Sequence, residues 1–98
     1  MADKKNSKKK EINVLRVKSS SEVQKVAGCI AACLQNGDTV EIHAIGAAAG
    51  NQSVKALAIS RGMLGSSGID IAVIPAFSNV QEEDGERTMI VLKIIELR

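Results

Sequence analysis

Aromatic residues are almost missing from this sequence: its 98 residues include no Trp, no Tyr and one Phe, Phe77. Proteins that read single-stranded nucleic acid by stacking its bases need several aromatic rings. A base-stacking reader of the RRM or OB type is therefore not expected. The length corresponds to one small domain, and the 45% hydrophobic and 24% charged residues are typical of a folded globular chain.

Histidine and cysteine are also scarce. One His and two Cys cannot supply the ligands of an ordinary zinc site. His43 has no accompanying nucleophile motif, which gives a catalytic triad little support, and we expect a packed or exposed structural histidine. We therefore predict no enzyme activity, no catalytic residue, no metal and no cofactor. Cys29 and Cys33 lie in an apolar run without a secretory signal, so we predict reduced, buried thiols.

Long apolar runs are absent as well. None approaches the ~20 residues that a membrane-spanning helix requires. The lysine-rich start is followed neither by an apolar segment of the signal-peptide type nor by an amphipathic Arg/Ser pattern. We therefore expect a cytoplasmic protein with no membrane span and no targeting peptide.

The net charge of +2 is unevenly distributed. Residues 1–10 carry five lysines against Asp3, a side-chain charge of +4, whereas residues 11–98 carry 8 basic and 10 acidic side chains and a charge of −2. We predict a flexible lysine-rich tail over residues 1–10 and one folded domain over residues 11–98. Basic character alone therefore gives no argument for nucleic-acid binding by the folded part.

The first half of the domain predicts a strand followed by a helix. Residues 12–17 are rich in β-branched side chains, which favours a strand. Ser19 and Glu22 match the capping box that starts many helices, and an apolar stripe at helical spacing runs over residues 23–34. Gly37 marks the helix end, because glycine readily takes the left-handed conformation of a C-terminal cap.

The middle of this helix carries no charge between Val26 and Leu34. Gly28 and Ala32 lie opposite the apolar stripe, where a surface helix normally has Lys or Glu. Small residues four apart permit the close approach of another backbone. We expect that backbone to come from the second helix or from another subunit.

The second half predicts a strand, a helix and two further strands. Residues 38–45 alternate between apolar and polar side chains, as in a half-buried strand. A helix follows to about residue 64, with an apolar side formed by Val54, Leu57, Ala58 and Leu64. Strands are then predicted over residues 69–77 and 88–97, joined by a charged turn over residues 81–87 that contains Asp84-Gly85, a strong hairpin signal. Pro75 indicates an edge position or a bulge in the first of these two strands.

The resulting order is β-α-β-α-β-β, an α+β domain. Two crossovers and a hairpin give a mixed four-stranded sheet with both helices on one face. The last strand is apolar on both faces, although two helices can cover only one. We therefore expect a homodimer or a higher homo-oligomer.

The junction Gly46-Ala-Ala-Ala-Gly50-Asn51 is the most suggestive local motif. Free amides at a helix start attract phosphate, and glycines let an anion approach the backbone. The motif lacks the Gly-Lys-Ser/Thr of a P-loop and the setting of a dinucleotide fingerprint. It fits a tight packing turn, a nucleic-acid phosphate site or a small-anion site, and the sequence leaves these three open.

Polar residues near the two helix starts form a candidate phosphate-binding rim. If both helices begin at one sheet edge, their hydroxyls, amides and lysines converge there, although they could equally be solvated surface residues. The candidate nucleic-acid-binding residues are Lys18, Ser19, Ser20, Gly50, Asn51, Gln52, Lys55 and Arg61.

Five stretches carry a family resemblance: Leu15-Arg-Val-Lys-Ser-Ser, Ile42-His-Ala-Ile-Gly-Ala, Gly50-Asn-Gln-Ser-Val-Lys-Ala-Leu-Ala-Ile-Ser-Arg-Gly, Ile74-Pro-Ala-Phe and Glu86-Arg-Thr. Over about residues 12–98 the chain resembles the stage V sporulation protein S family, which is similar to the Alba superfamily of chromatin and RNA-binding proteins. The resemblance implies a two-layer Alba-like fold and a small cytoplasmic regulatory protein of sporulation. It also implies action through DNA or RNA, and a dimer.

Three positions depart from the Alba pattern. Serines follow Lys18 where Alba proteins usually carry a second basic residue, Ala47 stands where an arginine is common, and the last hairpin is acidic. Each departure removes a phosphate contact, and affinity for nucleic acid scales with the number of such contacts, so we do not expect the strong chromatin coating of Alba proteins here. The alternative is a protein-interaction or assembly module that works through its apolar helix and strand surfaces, without direct nucleic-acid binding.

Overall fold

A computed structural model of the protein describes residues 12–97. It has the predicted order of six elements: strand β1 (Ile12–Val17), helix α1 (Val23–Gln35), strand β2 (Thr39–Ile45), helix α2 (Ala47–Gly65), strand β3 (Asp70–Glu82) and strand β4 (Gly85–Leu97). The tail predicted over residues 1–10 lies outside the described residues, so the tail and its boundary with the domain stay predictions.

The four strands form one mixed sheet in the order β1-β2-β4-β3. β1 runs parallel to β2, and the other neighbouring strands are antiparallel. Side chains alternate along a strand, and on one face of β2 Val40, Ile42 and Ala44 are at most 1% exposed. Val40 and Ile42 form a hydrophobic core with buried side chains from both helices. The predicted α+β architecture, with two helices on one face of a mixed sheet, is confirmed.

Helix α1 begins later than the sequence predicts. Val23 is its first residue, and Glu22 takes the N-cap position without a capping hydrogen bond from its side chain. The predicted capping box of Ser19 and Glu22 is therefore wrong. Ser21 instead closes a turn before the helix: its Oγ accepts from the Lys18 amide at 2.8 Å, and its own amide donates to the Lys18 carbonyl at 3.0 Å. This turn uses Ser21, so no hydroxyl caps the helix itself.

The other end of α1 is as predicted, with Gly37 just beyond the helix at a φ of 89°. The uncharged stretch behaves differently from the prediction. No atom of another element lies within 4 Å of the place that a Cβ would take at Gly28, and Ala32 is exposed. The prediction that α2 approaches closely at this position is therefore wrong, whereas contact with another subunit stays a prediction.

The two cysteines differ in their surroundings. Cys33 is half-buried, but Cys29 is exposed, so the predicted burial is wrong for Cys29. Burial, together with the negative charge of Asp38 and the neighbouring Cys29, raises the pKa of the Cys33 thiol. Cys33 is therefore protonated at neutral pH.

Helix α2 buries a different face from the predicted one. Leu57 and Leu64 are buried as expected, but Val54 is 59% exposed and Ala58 is exposed, so the prediction is wrong for these two. The buried face consists of Ala49, Ser53, Ala56, Leu57, Ser60 and Leu64.

Two serines can lie in this core because their hydroxyls are satisfied within the helix. Ser53 donates to the carbonyl of Ala49 at 2.8 Å, and Ser60 donates to that of Leu57 at 2.9 Å. A buried hydroxyl without a partner would cost free energy, whereas these two behave as small core residues.

No helix within residues 12–97 is long and apolar enough to cross a membrane.

Strands β3 and β4 are longer than predicted and continue past the rest of the sheet. β2 pairs with β4 only between Met89 and Lys93, so residues 79–82 and 85–88 pair only with each other. We call these two segments and the two turn residues between them the arm. Pro75 lies in the edge strand β3, which agrees with the predicted edge position.

The buried face of α2 can be tested by a matched pair of substitutions. Leu64→Ala should lower the free energy of unfolding by about 2–5 kcal/mol, because it leaves a cavity in the core. Val54→Ala should change it by less than about 0.5 kcal/mol, since that side chain is exposed. Urea unfolding followed by circular dichroism measures both, and equal losses would contradict the assigned face.

Candidate nucleic-acid interface

A cleft lies at the edge of the sheet where β1 and β2 both end. The two strands run parallel, with Val17 opposite Ala44, so the turns that follow them emerge side by side, the arrangement that commonly creates a ligand crevice. The cleft has a volume of about 520 Å³ and is lined by Arg16, Val17, Lys18, Ser19, His43, Ile45, Gly46, Ala47, Ala48, Ala49, Glu82 and Met89.

Helix α2 begins at the floor of this cleft. Gly46 is its N-cap residue with a φ of 96°, in the left-handed region that glycine adopts without strain. The Gly46 carbonyl accepts from the Gly50 amide at 3.0 Å, so the helix starts directly after β2. The amides of residues 47–49 are among the first in the helix, which have no carbonyl partner inside it. Together they make the cleft floor partly positive.

Two cations and a hydroxyl stand on the side of β1. Arg16 lies near the end of β1, opposite His43 on β2, while Lys18 and Ser19 belong to the turn that follows. All three are exposed and line the cleft. The guanidinium of Arg16, the ammonium of Lys18 and the hydroxyl of Ser19 can all donate hydrogen bonds. Together with the amides at the start of α2, they form a set of donors suited to phosphate oxygens.

His43 is held by a neighbour on its own strand. Its Nε2 lies 3.1 Å from Oε1 of Glu41, and both side chains are about four-fifths buried. The pairing explains why a histidine is accommodated on this face. It agrees with the structural role expected from the sequence.

The structure brings some of the predicted site residues together. Lys18 and Ser19 line the cleft, and Ser20 lies exposed in the same turn. Asn51 and Lys55 are exposed in the next turns of α2, outside the cleft lining.

Gln52 and Gly50 each donate a hydrogen bond to a backbone carbonyl near the helix starts. The side-chain amide of Gln52 donates to the carbonyl of Ser21 at 2.9 Å, which ties α2 to the turn before α1. The Gly50 amide is already used by the Gly46 carbonyl. Gln52 therefore links the two helix starts, and Gly50 closes the first turn of α2, while contact of either residue with a ligand stays a prediction.

Arg61 lies away from the cleft. It is about 21 Å along the helix axis from Ala47, at 1.5 Å per residue. Its Nε and Nη2 donate to the two carboxylate oxygens of Asp70 at 2.6 and 3.2 Å. The structure therefore does not bring Arg61 together with the other predicted residues.

Sequence reasoning missed two charged residues of the cleft, Arg16 and Glu82. Arg16 could have been found from the alternation of β1, because it faces away from the core residues Leu15 and Val17. Glu82 gave no such signal, since its position depends on how far the arm extends.

Within residues 12–97, no three His, Cys, Asp or Glu side chains are grouped as a metal would need.

The Arg61–Asp70 pair predicts a pH effect. The hydrogen bonds from Arg61, followed by that from the Ile71 amide, lower the pKa of Asp70, so the pair stabilises the fold at neutral pH and fades as the pH falls through that lowered pKa. Arg61→Gln should shift the pKa of Asp70 up towards its usual value of about 3.9. NMR titration of the carboxyl carbon measures this, and an unchanged midpoint would show that Arg61 is not the cause.

Comparison with known proteins agrees with this architecture. In the comparison with solved structures, Alba from Thermoplasma volcanium matches with a TM-score of 0.61 and 16% identity, covering 88% of this chain and 100% of that chain. At this identity the likeness concerns the fold alone. A family model described as Stage V sporulation protein S matches residues 13–97, nearly all of the described chain. The protein therefore belongs to the Stage V sporulation protein S family.

Proposed function

We propose that the protein is a small nucleic-acid-binding regulatory protein that acts in sporulation or related development and holds phosphates in the cleft. The observation that carries this proposal is the meeting of Arg16, Lys18 and Ser19 with the start of α2 in one concave surface. Cationic side chains, hydroxyls and helix-start amides are the groups that proteins use for phosphates. Such contacts carry no base information, so both DNA and RNA are candidate ligands.

The remaining predicted residues would extend this surface. Ser20, Asn51 and Lys55 are exposed beside the cleft, and we expect them to contact a ligand longer than the cleft. Gln52 would support the site by linking the two helix starts, and Gly50 by closing the first turn of α2. The lysines of residues 1–10 would add attraction that does not depend on sequence.

The family and the fold favour this proposal. The family description refers to sporulation, and the superfamily that the sequence resembles contains chromatin and RNA-binding proteins. We also propose a cytoplasmic location and no enzyme activity. The latter is favoured by His43, the single histidine of the chain, whose Nε2 is paired with Glu41 and not with a serine or cysteine.

Binding can be tested with labelled single-stranded RNA, single-stranded DNA and duplex DNA of equal length. Arg16→Gln and Lys18→Gln should each weaken binding about three- to tenfold at low salt and reduce the salt slope by about one phosphate. Fluorescence anisotropy over about 50–200 mM salt measures both quantities. Removal of residues 1–10 should weaken binding without unfolding the domain.

Lys25→Gln is the matched control for these two variants. Lys25 is an exposed cation on α1, 3.4 Å from Glu22, and does not line the cleft, so its loss should change the affinity less than twofold. If neither the full chain nor the shortened one binds any of the three ligands at low salt, the proposed function is wrong.

A second candidate function, assembly with copies of itself or with other proteins, is favoured by exposed apolar side chains. Phe77 is 80% exposed although it lies opposite Ile90, which packs against the core. Phe77, Pro75, Ala76 and Ile90 line an apolar hollow of about 250 Å³. Exposed aromatic side chains beside such hollows are typical anchors of protein interfaces.

The sheet face away from the helices is a second apolar surface, since Phe77 shares the register of the core-facing residues Ile90 and Ala44 and so belongs to the opposite face. By alternation and register, Val14, Ile74 and Ile95 lie on the face away from the helices, and they are 45%, 51% and 39% exposed. We propose a homodimer or a higher homo-oligomer that covers the hollow at Phe77, with the second surface available for further contacts.

Phe77→Ser should weaken self-association by about thirtyfold or more, the loss typical of an interface anchor. Val54→Ser, which replaces another exposed apolar side chain that does not line the hollow, should leave self-association unchanged. Size-exclusion chromatography with light scattering over a range of protein concentrations measures the effect. A wild-type chain that is monomeric at every concentration would exclude the homo-oligomer.

A further inference from the structure

Glu82 borders the cleft that we propose to bind phosphate. It is the one carboxylate among the residues that line the cleft, which it shares with the cations Arg16 and Lys18. A carboxylate repels phosphate and costs affinity where a binding surface is otherwise positive. Its place in the wall therefore works against the proposed ligand.

Glu82 also forms an ion pair with Arg87, the cation through which the arm could bind a phosphate. Its Oε1 lies 3.0 Å from Nε of Arg87, and Asp84 lies 3.6 Å from Nη2 of the same guanidinium. Arg87 is the single basic residue within residues 79–88, so both carboxylates satisfy the one group of the arm that could bind a phosphate. With Glu82, Glu83, Asp84 and Glu86 against Arg87, the arm carries a formal charge of −3.

We infer that Glu82 is a specificity-determining residue: it keeps phosphates out of the arm side of the cleft and holds Arg87 away from them. This inference rests on the proposed function. The cleft then admits a short phosphate segment from the side of Arg16 and Lys18. A ligand that continued along the arm would meet its negative charge, so short or single-stranded segments are favoured over a duplex lying along the arm.

Replacement of Glu82 tests the inference. Glu82→Gln removes the negative charge from the cleft wall and the closer of the two ion pairs of Arg87, leaving only the longer one with Asp84 among those described. Arg87 can then turn to the ligand, so the variant should strengthen binding of a duplex about three- to tenfold and increase its salt slope by about one phosphate. The gain for a short oligo-uridine should be smaller, because that ligand need not reach the arm. Fluorescence anisotropy with the full chain over a series of salt concentrations measures both.

Glu83→Gln is the matched control. It makes the same change in net charge one residue away, but Glu83 lies outside the cleft lining and has no ion pair with Arg87 among those described. It should change the affinity less than twofold. Equal gains from the two variants would overturn the inference, because they would reflect net charge alone.

A double variant separates the two effects of Glu82. If Arg87 is released to the ligand, Glu82→Gln combined with Arg87→Gln should lose the additional salt slope while keeping part of the gain in affinity. Full retention of the slope would overturn the role given to Arg87. Failure of every variant to bind, with circular dichroism unchanged, would instead contradict the proposed function itself.

Discussion

The parallel pairing of β1 with β2 is the constraint on which the candidate site depends. It places Lys18 and Gly46, the first residues beyond the two strands, at one edge of the sheet. The hydrogen bond from Gln52 to the Ser21 carbonyl then ties α2 to the turn before α1. The cations at the end of β1 and in the turn after it meet the amides of the α2 start because of this pairing, although the two groups are about 30 residues apart in the chain.

The charges of the folded part are separated in space by this arrangement. The positive groups of the cleft come from the β1 side and from the α2 start, while the negative ones belong to the arm. A small net charge thus hides two surfaces of opposite sign that share a border at Glu82. The association of such a protein with a polyanion depends on the local fields and not on the total charge.

The sequence predicted the elements of this fold better than the details of its surfaces. Alternation of apolar and polar residues identified β2, and Gly37 identified the end of α1, because both signals are local. The buried side of α2 could not be derived from hydrophobicity, since Ser53 and Ser60 enter the core by bonding carbonyls of their own helix. Glu82 joins the cleft through the length of a hairpin, which composition does not encode.

The arm has a consequence for local stability. Its segments pair only with each other, and nearly all of its residues are exposed. Two-stranded ribbons without a packed face are marginally stable, so the arm can open and close while the rest of the sheet stays intact. Amide hydrogens there would exchange with solvent by such local openings. Among the described strands, the ion pair between Glu82 and Arg87 therefore belongs to the segment that we expect to open most easily, and the shape of the cleft wall would vary with it.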